Sequence, residues 1–404
     1  MTERTWVAGG VMRLRAVDAA GQGLVSFDAD ASACFAGRPL AEALLACRSG
    51  FADVAIVHTG GAPEDKTRFL DLKGLGDAAE TAAYYQAIDA PATLAAFRAR
   101  FGFDVADNGE VDAVYYNAGD LGIGREMHCR AFAIAGQVAP GIACWVSNYG
   151  TFGGPALDAL DAAVARTGAF ATVAMVYRPP IAAPDSVQFM VYGADGALAT
   201  AAPLDTHGDN ASIPQNCLNC HGGHATYDAI GHRVLGGARF LPFDPGAFLF
   251  ADVAGLRRAD QEERLRKLNA LVERSGATAA TRELISALYA GKVDAPGARA
   301  DENAVPASWS QTAADRRLYQ SVIRPACRAC HISQEPLTGR TSLDFAGAQA
   351  FRALAPAIER RVCGPHAAAN QRMPSAEVPL GHFWRSGARG YLIGYLGLHN
   401  VCAP

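Results

Sequence analysis

The sequence predicts a mixed α+β N-terminal domain over residues 1–200, followed by mainly α-helical units over 201–300 and 301–404. Three observations lead there. The chain has 404 residues, too many for one small core. Short apolar runs alternate with helix-like stretches through the first half. Beyond residue 200, Leu and Ile recur at helical spacing around two Cys-x-x-Cys-His motifs.

The strand-like runs are Asp53–His58, Val111–Tyr116, Ala131–Ala135, Ile142–Ser147, Ala171–Tyr177 and Ser186–Tyr192. Each is short, rich in β-branched or aromatic residues, and bounded by turn residues. Ala78–Ile88, Ala92–Arg100 and Leu157–Arg166 read as helices between them. A run of prolines from Pro179 to Pro214 leads into the first motif. Gln261–Arg274 and Thr281–Tyr289 have helical apolar spacing, and 292–308 is a Pro/Gly/Asp-rich connector. Ala313–Pro325 reads as a helix entering the second motif, and Ala388–Leu398 as the last helix.

Apolar residues make up 50 % of the chain and charged ones 19 %, which fits a globular protein rather than a disordered one. The net charge of −4 carries no basic run, so a nucleic-acid partner is not expected. No apolar stretch is long enough to span a bilayer, so no integral membrane segment is expected. Six of the ten cysteines lie outside the motifs, as three sequence-local pairs: Cys34 with Cys47, Cys129 with Cys144, Cys363 with Cys402. Local disulfides are expected from them, although six cysteines allow 15 pairings. Such bridges belong to an oxidising compartment.

The motifs are Cys217-Leu-Asn-Cys220-His221 and Cys327-Arg-Ala-Cys330-His331. One helical turn presents both sulfurs to one porphyrin edge, for thioether bonds to the two vinyl groups, and places the histidine under the iron. The pattern is that of covalent haem c attachment. Two covalently bound haem c are therefore expected, with His221 and His331 as proximal ligands. A Cys₄ zinc site is the chief alternative, but the two cysteine pairs lie much farther apart than the roughly 15–20 residues of a zinc ribbon. A redox dithiol would not require histidine after both pairs.

Residues 310–402 resemble a class I cytochrome c domain. The resemblance rests on Leu318-Tyr319 leading into Cys327–His331, on Met373-Pro374 downstream, and on the closing Gly390-Tyr-Leu-Ile-Gly-Tyr-Leu396. It implies that Met373 is the distal ligand of the second haem and that the last helix packs across the one before the motif. A thioether is soft and neutral, favours ferrous iron and raises the potential. The expected Cys363–Cys402 bridge would tie the Met373 loop to the last helix. The two C-terminal units are accordingly expected to be cytochrome c-like haem domains.

No Met-Pro follows the first motif, and no methionine lies between Met190 and Met373. His224 is too close to His221 to cross the haem easily. His207 sits in a turn sequence, and His232 reads as a surface or propionate-side residue. The glycine-rich segment Asn117–Cys129 gathers Arg125, Glu126, Met127 and His128. His128 or Met127 is a candidate distal ligand there or part of a substrate pocket over the haem, Arg125 a candidate propionate partner, and a structural role for His128 stands beside these. Gly237–Gly246 is expected to wrap the first haem in apolar surface.

These residues predict a periplasmic or secreted bacterial dihaem cytochrome mediating electron transfer to a redox partner protein of unknown identity. No signal peptide is seen, so the sequence reads as a mature form. The alternative is a haem enzyme, with an open first haem fed electrons by the Met-ligated second. That division of labour resembles the bacterial dihaem peroxidases in layout only, because the long N-terminal region does not match theirs. A ligand-sensing or adhesive surface protein is a third reading.

Overall fold

The computed structural model describes residues 2–7, 11–17, 23–30, 76–181, 183–204, 211–223, 225–333, 346–363, 375–398 and 402. The expected strand at 53–58 and the Cys34–Cys47 pair lie outside the described residues, as do His207, His224, Met373 and Pro374.

Strands β1 (Thr2–Val7), β2 (Val11–Val17) and β3 (Gly23–Asp30) form an antiparallel meander. The main element is a six-stranded antiparallel sheet. Five of its strands are β4 (Val111–Asn117), β5 (Gly124–Phe132), β6 (Gly141–Tyr149), β7 (Ala171–Tyr177) and β8 (Val187–Gly193), paired in sequence order. A hairpin of β9 (Thr226–Asp228) and β10 (Arg233–Leu235) follows, and β11 (Phe248–Leu249) returns to pair with β4.

Both sheet edges are closed by groups from distant parts of the chain. On β8, the backbone N–H of Phe189 donates to the Tyr84 hydroxyl at 2.8 Å and that of Val191 to the Tyr85 hydroxyl at 3.1 Å. Both tyrosines belong to α1 (Ala78–Ala87), capped by Asp77. Helix α2 (Leu94–Arg100), capped by Thr93, places Phe97 against Tyr192. On β4, β11 pairs along one end, and the Gln261 side chain brackets Val114, accepting from its N–H and donating to its carbonyl, both at 2.8 Å. Such closure removes the unpaired edge that otherwise invites aggregation.

Helix α3 (Ala156–Ala165) lies on one face of the sheet, its alanines Ala156, Ala159 and Ala163 buried. It comes so close that a Cβ on Gly124 would overlap the Ala159 carbonyl. The other face presents Met127, Val146, Val173, Met175, Phe189 and Val191, by strict alternation. It is covered by α4 (Leu218–His221), by the loop from Gly237 to Ala247, and by α6 (Ala279–Leu288), while α5 (Arg258–Arg274) packs beside β4. A second core, from Trp309 to Cys402, gathers α7 (Ala313–Leu318), a wide π-type turn over Tyr319–Ile323, α8 (Arg324–Ala326), α9 (Arg328–His331), α10 (Ala348–Ala353), α11 (Ala355–Val362), α12 (Glu377–Arg385) and α13 (Ala388–Leu396). The Tyr391 hydroxyl of α13 donates to the Ala314 carbonyl at 3.0 Å.

The expected fold class is thereby corrected. The chain is built on a six-stranded antiparallel sheet with helices, not on an α+β domain followed by mainly helical cytochrome-like domains. The main core runs from Tyr84 to Ile332 without a break near residue 200. The physical reason lies in the sheet. One face is apolar and needs a lid, and the segment after residue 201 supplies it, spending Phe240, Phe243 and Phe248 on that core instead of on a separate unit.

Candidate functional site

Helix α4 is a single turn. Its first bond runs from the His221 N–H to the Cys217 carbonyl at 2.9 Å. That turn brings Cys217, Cys220 and His221 to one side, facing the apolar sheet. Both cysteines are buried and unbridged. Burial, and then Cys220 beside it, push the Cys217 thiol up to about 12.

The His221 ring is held by one specific contact. Its Nδ1 lies 2.7 Å from the carbonyl of Arg239. A carbonyl only accepts, so Nδ1 carries the hydrogen and Nε2 keeps its lone pair. Burial lowers the pKa of this ring against the raising effect of that hydrogen bond, so the neutral form is favoured. A neutral imidazole with a fixed tautomer and a bare Nε2 is the form that ligates a metal.

The second motif repeats the turn, with the His331 N–H 3.1 Å from the Cys327 carbonyl. Its α9 lies directly against α4. The Sγ atoms of Cys220 and Cys330 are 3.1 Å apart, and the Ser333 hydroxyl donates to the Cys220 carbonyl. Burial pushes the Cys327 thiol up to about 12. Met373 and the segments 334–345 and 364–374 on the chain around this motif lie outside the described residues. Ser375, two residues beyond Met373, reaches the first motif, 3.4 Å from the Asn219 side-chain amide.

A cavity of 400 Å³ separates the first motif from the sheet. The wall opposite Cys217, Cys220 and His221 carries Met127, Val146, Val173 and Met175. Phe240 to Asp244 close one side, so the segment expected to be apolar cover does line the cavity. Arg125 also lines it and pairs with Asp120 at 3.4 Å. Among the described residues His221 is the only histidine on the lining.

The sequence-derived candidates in β5 separate by alternation. Arg125 and Met127 face the cavity; His128 does not. His128 points to the opposite face, stacked on Trp145 at 3.8 Å, with Nδ1 against Glu110 and Nε2 3.0 Å from Glu126. Glu126 also accepts from the Tyr149 hydroxyl at 2.7 Å and pairs with Arg166 at 2.9 Å. Both ring nitrogens are committed on the far side of the sheet, so His128 is not brought to the first motif. His232 pairs with Glu80 at 2.8 Å near the surface.

Sequence reasoning missed a charged cluster on the cavity wall. Asp244 is buried between Arg324, at 3.3 Å, and Arg328. Burial alone would raise the Asp244 carboxyl, but the two guanidiniums outweigh it and hold it well below the usual carboxylate range. Arg328 is the first intervening residue of the second motif, and a charge inside an otherwise small motif was the available signal.

Two of the expected disulfides are present, Cys129–Cys144 across β5 and β6, and Cys363–Cys402. No group of three or more His, Cys, Asp or Glu among the described residues is arranged to hold a metal ion, so the four motif cysteines do not converge as a zinc set. Among the described residues no helix is long and apolar enough to cross a membrane. Comparison with protein-family models, with curated proteins and with solved structures finds no match for this chain.

Proposed function

We propose that this chain is a c-type cytochrome that carries two covalently bound haem c and passes electrons between redox partners outside the cytoplasm. Cys217 and Cys220 would hold one haem, with His221 as its ligand; Cys327 and Cys330 would hold the other, with His331. Bound haem iron supplies a one-electron couple. The observation that carries the reading is the 3.1 Å approach of Cys220 to Cys330. Electron tunnelling falls off steeply with distance, and abutting attachment sites make the two macrocycles near neighbours.

Three further features support it. His221 keeps Nε2 available because Arg239 takes Nδ1. The cavity beside it is deep and largely apolar, which suits a macrocycle. The motif thiols remain reduced while other cysteines bridge, and those bridges are compatible with a periplasmic or secreted protein. Met373 is proposed as sixth ligand of the second iron.

The enzyme reading, with peroxide or another small oxidant as substrate, is favoured by one feature. His221 is the only histidine on the cavity lining among the described residues, and the opposite wall offers the weak thioether ligands of Met127 and Met175.

The test is the mass and spectrum of the purified protein. A mass exceeding the bare chain by two haems, with an alkaline pyridine spectrum of haem c, is the expected result. Cys217→Ala with Cys220→Ala should remove one haem. A bare-chain mass, or one lower by two hydrogens from a Cys220–Cys330 disulfide, sinks the proposal. Electron paramagnetic resonance of the oxidised holoprotein then separates the readings. Two low-spin irons support electron transfer, and a high-spin iron that binds cyanide supports the enzyme.

A further inference from the structure

The charges on the cavity wall do not balance. Arg125 is matched by Asp120. Arg324 and Arg328 share the single carboxylate of Asp244, and all three side chains are over nine-tenths buried and line the cavity. The other partner of Arg328 is the Tyr319 hydroxyl, at 2.6 Å, which is neutral. Glu302 comes close to the cluster beside Gly246, but it is taken by Arg258. Gly246 itself leaves the room that the Arg324 guanidinium occupies; a Cβ there would overlap it. One buried positive charge is therefore left over among the described residues. An uncompensated buried charge is costly unless an anion joins it.

We infer that Arg324 and Arg328, braced by Asp244, seat one carboxylate at the wall of the cavity, and that this carboxylate is a propionate of the haem held by Cys217, Cys220 and His221. The inference rests on the two-haem reading for the identity of the carboxylate. Guanidinium forks match a carboxylate in shape and charge. The haem would hang from its vinyl edge on Cys217 and Cys220, leaving its acidic edge to reach another part of the same wall. Arg328 lies between Cys327 and Cys330, so a residue inside the motif that would hold one haem would grip the other by its acid group. Each centre would then feel the charge on its neighbour through a shared buried cluster.

The experiment uses holoprotein already shown by mass to carry both haems, so failure of attachment is read separately from failure of the seat. Arg324→Gln is compared with wild type by resonance Raman spectroscopy and by reductive titration. The expected result is a shifted propionate bending band and a lowered reduction potential, with Arg324→Lys partly restoring both. Asp244→Asn, which keeps both guanidiniums, should move the potential upward and covers the case in which Arg324→Gln does not fold. Acetate is the probe for the other source of a carboxylate. If acetate shifts the wild-type Soret band, and Arg324→Gln loses that response while the propionate band stays put, the seat stands and takes a free carboxylate. An unmoved propionate band together with no acetate response overturns the inference, even if the potential shifts from the lost charge alone.

Discussion

Gln261 finishes the hydrogen bonding of a strand from outside it. Its amide pairs with both backbone groups of Val114 and also donates to the Leu256 carbonyl at 2.6 Å, at a position with no exposed surface. Gln261→Leu preserves the volume but strands those groups, and should cost about 2–4 kcal/mol by the penalty for unmet buried polar groups; calorimetric unfolding measures it. Asp244→Ala should cost about 3–5 kcal/mol, because it leaves two buried guanidiniums unpaired. The pH dependence follows from the depressed carboxyl. Its stabilisation is complete above the unfolded-state value of about 4 and is lost as pH falls toward the lower folded-state value. Asp244→Asn should therefore flatten the acid limb of the melting-temperature profile below about pH 4. His128 shows how a site is misread. Gly124, Arg125, Glu126 and His128 look like loop residues, but alternation along β5 sends Arg125 and Met127 to the cavity and Glu126 and His128 away. His128→Ala should cost about 1–3 kcal/mol through Glu126, left with fewer partners, and on the two-haem reading it should leave the optical spectrum of the holoprotein unchanged.

The elements that were legible are those whose pattern is local. β7 occupies the same seven residues as its apolar run, and α1, α3, α5 and α6 fall within a few residues of their helical spacing. The strand expected over Ala131–Ala135 shares only Ala131 and Phe132 with β5, whose earlier residues were obscured because Gly124 answers a tertiary demand. It stands where α3 crosses, and Gly150, at φ 88°, stands near the same alanine. Gly124→Ala forces α3 off the sheet and should cost about 1–3 kcal/mol, as overpacking does; denaturant unfolding of the variant checks this. β11, two residues long, has no period to read and is defined by its partner β4. The helix expected over 313–325 is interrupted at Tyr319–Ile323 by a wide turn ahead of Pro325, which has no N–H to give.

Across the whole molecule, the motifs were legible because each is a fixed Cys-x-x-Cys-His spacing within one helical turn, and two cysteine pairings were legible because they are local. What covers the sheet was not. The need for a lid over Val146, Val173 and Phe189 appears only once the strands are assembled, and the lid comes from sequence that looked like a domain of its own. The disulfides lie in different cores. Replacing Cys129 and Cys144 together by alanine should cost about 3 kcal/mol, and Cys363 with Cys402 about 4 kcal/mol, from the longer loop; thermal unfolding of each double variant measures the difference. The enclosure of the first motif has a consequence for how the protein is made. Cys217 is 9 % exposed, beneath a sheet five of whose six strands, β4 to β8, come earlier in the chain. On the two-haem reading, no ligating enzyme reaches a thiol at that depth. The carbon–sulfur links must be forged while the polypeptide is still open, and closure then seals whatever was fastened. A chain that folds bare stays bare, so pigment added after refolding should not become covalently fixed.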